Sequence, residues 1–173
     1  MSFEAERAAW AKRQANRSQR PLEYWTSLAD RLWSERIQFG NNPNVPIYWW
    51  YRGLSTDFQP RPQSLHLFEG RSLLKAMDLE KQGRLEDAML IYEIHLAEEF
   101  TGSTPSDRLR ILYTKQKNYV DAIRVCQTYL TTLDHLEKTW PGYPNLQQRP
   151  KLREQIAKLQ AKLDKPSSAA KMY

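Results

Sequence analysis

The residues best suited to chemistry in this chain are scattered: His66, His95, His135 and the single Cys126. His95 stands with Glu98 and Glu99 in one stretch of helical pattern. An imidazole and two carboxylates on one helix could supply part of a metal site, which would need further ligands from elsewhere. The plainer reading is a surface histidine beside carboxylates. Cys126 has no histidine near it in sequence and falls among apolar residues, so it reads as a small buried hydrophobe. A Gly-rich phosphate loop, a Gly-x-Ser-x-Gly elbow and a His-Glu-x-x-His helix are all missing. The sequence predicts no enzyme, no cofactor and no metal site.

What remains is recognition chemistry. Four adjacent aromatic or basic-flanked positions, Tyr48, Trp49, Trp50 and Tyr51, run into Arg52. No regular element can turn four neighbours to one side, so some of them should reach the surface. An exposed aromatic hot spot for a partner and an irregular segment folded over a helical core both fit. The charge is uneven. Nine basic and six acidic residues lie in 1–63, nine and eleven in 64–134, and eight and three in 135–173, for a formal net charge of +6. Arg13, Arg17 and Arg20 at one end, and Lys151, Arg153, Lys158 and Lys162 at the other, could meet an acidic surface or nucleic acid. They could equally be solvated helix faces.

One cysteine suits a reducing compartment. The N-terminal residues show no signal-peptide pattern, and no apolar run approaches the roughly 18 residues of a membrane helix. The expected location is cytoplasmic, with no membrane span.

The elements that must position these residues are helical. Phe3 to Arg20 reads as a helix with acidic residues first and basic residues last, matching the helix dipole. Its apolar face is thin, which predicts a peripheral helix. Pro21 can open a second helix, whose stripe is Leu22, Trp25, Leu28, Ala29, Leu32, Trp33 and Ile37. Residues 1–40 form an N-terminal helical pair. Residues 41–64, with Pro43, Pro46, Pro60 and Pro62, form a connection that cannot be one helix. Residues 135–165 hold a Trp140-Pro141-Gly142-Tyr143-Pro144 break and a last helix from Pro150 to about Lys165. That helix carries Leu152, Ile156, Leu159 and Leu163 and reads as a cap. Residues 166–173 read as a loose tail.

Residues 65–134 contain a repetition. Lys81-Gln82-Gly83-Arg84-Leu85-Glu86-Asp87-Ala88 is followed 34 residues later by Lys115-Gln116-Lys117-Asn118-Tyr119-Val120-Asp121-Ala122. Each copy has an apolar helical stripe on both sides of a polar turn. Thr101 to Pro105 separates the copies, with Thr104 as N-cap and Pro105 opening the next helix. These segments resemble tetratricopeptide repeats, whose unit is a 34-residue helix–turn–helix. The matching positions are Gly83 at the turn, Ala88 and Ala122 in the second helices, and Tyr92 four residues on. Lys117, Cys126 and the missing closing prolines depart from the pattern.

The resemblance implies an all-α right-handed solenoid of two repeats between the N-terminal pair and the capping helix. It implies a concave groove lined by the first helix of each repeat. Leu73, Met77, Glu80 and Lys81 would face it from the first copy, and Asp107, Ile111, Thr114 and Lys115 from the second. Leu73 and Met77 stand where one family subgroup has Lys and Asn to grip a terminal carboxylate. A mixed groove suits an apolar or helical segment instead. The functional expectation is a protein-interaction module, its partner held by the groove and by Tyr48, Trp49, Trp50 and Arg52. The alternative is an accessory subunit of a nucleic-acid-associated complex using its basic ends.

Overall fold

The computed structural model describes residues 3–30, 73–97 and 99–165. The aromatic run at 48–52, the rest of the 41–64 connection and the 166–173 tail lie outside the described residues. So do Leu32, Trp33, Ile37 and His66. Everything regular among the described residues is helical: α1 (Phe3–Ala15), α2 (22–30), α3 (73–81), α4 (Leu85–Ala97), α5 (Thr104–Lys115), α6 (Tyr119–Thr139), a short 3-10 helix (Pro144–Gln148) and α7 (Arg149–Leu163). The chain is all-α in this respect. No helix among the described residues is long and apolar enough to cross a membrane.

Helices α3 and α4 form one antiparallel pair and α5 and α6 a second. The connecting turns are built alike, bond for bond. In the first, the amides of Gln82, Gly83 and Arg84 donate to the carbonyls of Asp78, Glu80 and Leu79 at 3.0, 3.0 and 2.9 Å. In the second, Gln116, Lys117 and Asn118 donate to Leu112, Thr114 and Tyr113 at 3.1, 3.0 and 2.9 Å. Each donor and acceptor in the second turn lies 34 residues after its counterpart in the first. The bond from Arg84 back to Leu79, and its counterpart, close a helix end around a left-handed residue. That residue is Gly83 at φ 75° in one turn and Lys117 at φ 58° in the other.

Glycine adopts this conformation freely and lysine does not. Lys117→Gly should therefore stabilise the fold by about 1 kcal/mol, and Gly83→Ala should cost a similar amount. No atom lies within 4 Å of a Cβ built at Gly83, so the cost there comes from the backbone alone. Urea midpoints that move in the opposite directions would contradict this.

The main core runs through α3 to α7. Ala88 and Ala122 are fully buried in it, with Met89, Tyr92, Leu109, Tyr113, Val125, Cys126 and Leu133. Helix α5 packs between α4 and α6, and α7 packs on α6. Leu152 and Leu159 of α7 are buried and Ile156 is partly so, while Leu163 at its end is 38% exposed. Full burial of one leucine contributes about 1.5–3 kcal/mol, enough to hold α7 against α6.

A second, smaller core joins α1 and α2 to α4. Ala11, Trp25, Leu28 and Ala29 pack with Ile94, flanked by Trp10, Tyr24, Leu90 and Ala97. Trp10 and Trp25 meet edge to face at 6.1 Å. Thus α1 is docked despite its thin apolar face. It is also shorter than expected, ending at Ala15 rather than Arg20. The cause is a side chain far along the sequence. Ser18 Oγ donates to Asp121 Oδ1 at 2.6 Å, and the Gln19 amide donates to Asp121 Oδ2 at 3.2 Å. The Arg20 amide donates to Ser18 Oγ at 2.9 Å. These bonds satisfy the backbone outside the helix, and Pro21 follows. Leu22, expected on the apolar stripe of α2, is exposed.

Candidate functional site

Three places could carry function: the paired first helices α3 and α5, a charge cluster buried beside α2, and the end of the stack that holds the turns. The first is the groove expected from the repeats. Glu80 of α3 accepts from Arg108 Nε of α5 at 3.0 Å, and the Arg108 Nη2 also binds it. Tyr92 donates to the same carboxylate at 3.3 Å. This ion pair ties the last turn of α3 to the N-terminal half of α5. Leu73 is half-buried against the main core, while Met77 and its neighbour Leu74 are exposed at 39% and 62%. Ile111 and Asp107 are half-buried, and Asp107 lies 3.7 Å from Arg110. Lys81 is exposed and pairs with Asp78 at 3.3 Å; Lys115 is exposed.

The second place was not visible in the sequence. Arg124, Glu93 and Asp121 are 3%, 2% and 0% exposed. Arg124 Nη2 reaches Glu93 Oε1 at 2.5 Å and Nη1 reaches Oε2 at 3.3 Å, while Nε reaches Asp121 Oδ1 at 2.7 Å. Tyr113 donates to Glu93 at 2.5 Å, and Asn118 Nδ2 donates to Asp121 at 2.7 Å. The Arg124 guanidinium lies 4.7 Å from the Trp25 ring centre, a cation–π contact between buried groups. Arg20 lies between the rings of Tyr24 and Tyr113, at 4.2 and 5.2 Å, and pairs with Glu86 at 3.0 Å. Arg20 is therefore held in the packing and is not presented for a polyanion.

Burial opposes the charge on Arg124, but Glu93, Tyr113 and Asp121 together outweigh it and the guanidinium holds its proton more tightly than usual. Burial, then the Glu93 charge, pushes the Tyr113 hydroxyl well up. The signal in the sequence was one charged residue inside each of two apolar runs, Met89 to Leu96 and Ala122 to Cys126. Each charge interrupts a stripe that otherwise reads as core.

A cleft of about 180 Å3 opens beside this cluster, with Trp10, Gln14, Arg17, Trp25 and Thr128 in its walls. That is below the roughly 300 Å3 from which small-molecule sites usually begin. Arg17 and Arg124 offset Glu93 and Glu99 there, so no sign of charge is favoured.

The residues suited to chemistry are apart. His95 is buried, not at the surface, and meets Phe100 at 5.6 Å. Glu99 pairs with His135 at 3.3 Å, and Glu98 lies outside the described residues. Among the described residues no group of His, Cys, Asp and Glu is placed to hold a metal. Burial pushes the Cys126 thiol up to about 12 from an ordinary 9.0. A thiol held protonated and inaccessible is a poor nucleophile.

Alkali should unfold this protein. Cys126 and Tyr92 are raised to about 12, from 9.0 and 10.0, and burial raises Tyr24, Tyr113 and Tyr129 as well. Above pH 9 the unfolded chain gives up these protons before the folded chain does. It then binds fewer protons, so stability falls as pH rises from about 9 toward 12. Each such group contributes a slope of up to about 1.4 kcal/mol per pH unit. Urea midpoints that stay level between pH 8 and 11 would contradict this assignment.

The third place gathers part of the basic residues. Arg17 lies just before the α1–α2 corner, and Lys158 and Lys162 lie in the last turns of α7. Lys162 sits 5.9 Å from the Tyr119 ring at the start of α6, and Lys158 pairs with Glu154 at 2.6 Å. Arg13 is exposed one turn before Arg17. Lys151 and Arg153 are exposed near the other end of α7, where Arg149 reaches Glu137 at 2.9 Å. The basic set is thus divided between the two ends of the stack. No family model, curated protein or solved structure matches this chain.

Proposed function

We propose that the chain is a non-enzymatic protein-interaction module of tetratricopeptide-repeat type. Its α3 and α5 helices hold an apolar or helical segment of a partner. Two helical pairs with the same turn bonds 34 residues apart support the repeat assignment, as do the buried Ala88 and Ala122. The observation that carries the binding reading is the exposure of Leu74 and Met77 on α3 beside α5. Isolated exposed apolar residues are ordinary, but a pair on the helix that should line a groove is where a partner would gain most. The run Tyr48, Trp49, Trp50 and Arg52 is the proposed second contact.

The test is affinity purification from the native host, comparing the natural chain with a Met77→Glu/Ile111→Glu variant of equal thermal stability. The reading expects at least one partner to be lost from the variant. Recovery of the same proteins in the same amounts would contradict it. A second reading, an accessory subunit of a nucleic-acid-associated complex, is favoured by basic residues that meet at one end of the stack.

A further inference from the structure

The contacts of four separate connections converge on one end of the helical stack. Glu86, at the start of α4, accepts from Arg20 of the α1–α2 corner at 3.0 Å and from Gln116 of the α5–α6 turn at 3.3 Å. Asp121, in the first turn of α6, holds Ser18 and Gln19 of the same corner. Lys162, in the last turn of α7, lies over Tyr119, the first residue of α6. The α1–α2 corner, the α3–α4 turn, the α5–α6 turn and the end of α7 therefore form one rim.

The charge on that rim is one-sided. Lys81 and Arg84 are matched by Asp78 and Asp87, and Arg20 by Glu86. Arg17, Lys115, Lys117 and Lys165 are exposed and make no ion pair among the described residues, although Arg17 also borders the cleft that holds Glu99, and Lys162 lies 5.9 Å from the Tyr119 ring. Outside those pairs, five cations stand against two carboxylates among the described residues, Glu23 and Asp164.

We infer that this rim binds the phosphate backbone of a nucleic-acid duplex without reading its sequence. The inference rests on the nucleic-acid reading above and moves its surface from the two terminal helices to the turn end. Lys115 and Lys117 join it, while Lys151 and Arg153 do not. Four of the five cations are lysines, mobile point charges that suit phosphates rather than shaped recognition of bases. Asp78, Asp87 and Glu86 are held by Lys81, Arg84 and Arg20, which leaves Glu23 and Asp164 as the carboxylates that oppose a polyanion there. The surplus of three cations sets the number of phosphates neutralised.

The experiment is fluorescence anisotropy of the full chain with a labelled DNA duplex and an RNA duplex. Anionic vesicles and polyglutamate serve as competitors. Binding is expected at 50 mM salt and should weaken about fortyfold by 200 mM, the change for three neutralised phosphates. Arg17→Glu, Lys117→Glu and Lys165→Glu together should lower affinity at least tenfold, with the melting temperature checked separately. Lys151→Glu with Arg153→Glu should leave it unchanged. Loss with the second pair only would overturn the rim while keeping the nucleic-acid reading. Absence of binding to either duplex at 50 mM would overturn both. Equal or better competition by vesicles or polyglutamate would overturn the choice of partner.

Discussion

Arg124→Ala should destabilise the protein by about 3–5 kcal/mol, as removal of one partner from a buried ion pair does. The size follows from what is left behind. Glu93 and Asp121 would remain buried with no cation between them, and their repulsion would add to lost solvation. Glu93→Ala should cost less, because Arg124 would still have Asp121 at 2.7 Å. The effect should be local as well as global. Trp25 packs its ring on Arg124, and Ser18 and Gln19 bind Asp121, so α1 and α2 should loosen first. Urea unfolding followed by tryptophan fluorescence checks this. Equal costs for the two variants would mean that the three charges do not act as one group. With a typical domain stability of 5–15 kcal/mol, the Arg124 variant would sit near the edge of folding.

Ala88→Leu and Ala122→Leu should each cost about 1–3 kcal/mol through overpacking. Both alanines are fully buried where second helices pack on first helices, and a small side chain allows that close approach. The two costs should be similar, because the residues hold equivalent places in the two pairs. Their turns share the same backbone bonds, including Ala88 to Arg84 and Ala122 to Asn118 at 3.1 Å each. A thermal melt unchanged by either substitution would count against the equivalence.

The parts of the fold that could be read from the sequence are those set by local pattern. The period of 34 located α3 to α6, and the alanines marked the close helix contacts. The proline and glycine breaks marked the start of α2 and the end of α6. The early stop of α1 could not be read that way, because Asp121 lies 103 residues from Ser18. The buried cluster was hidden for a related reason. Glu93 and Arg124 each look like a surface residue until their partners come together across two helices. The candidate groove was legible as a list of positions. The ion pair between Glu80 and Arg108, which joins its two sides, was not, because Arg108 is absent from that list. The division of the basic residues between two ends needed the antiparallel packing of α7 on α6.

The claim that α3 and α5 form the binding surface is tested most directly by hydrogen exchange. The measurement compares the chain alone with the chain bound to a partner recovered by affinity purification. Slowed exchange is expected in 73–81 and 104–115 on binding, with little change at the α7 surface. Protection confined to α6 and α7, with 73–81 and 104–115 unchanged, would contradict it.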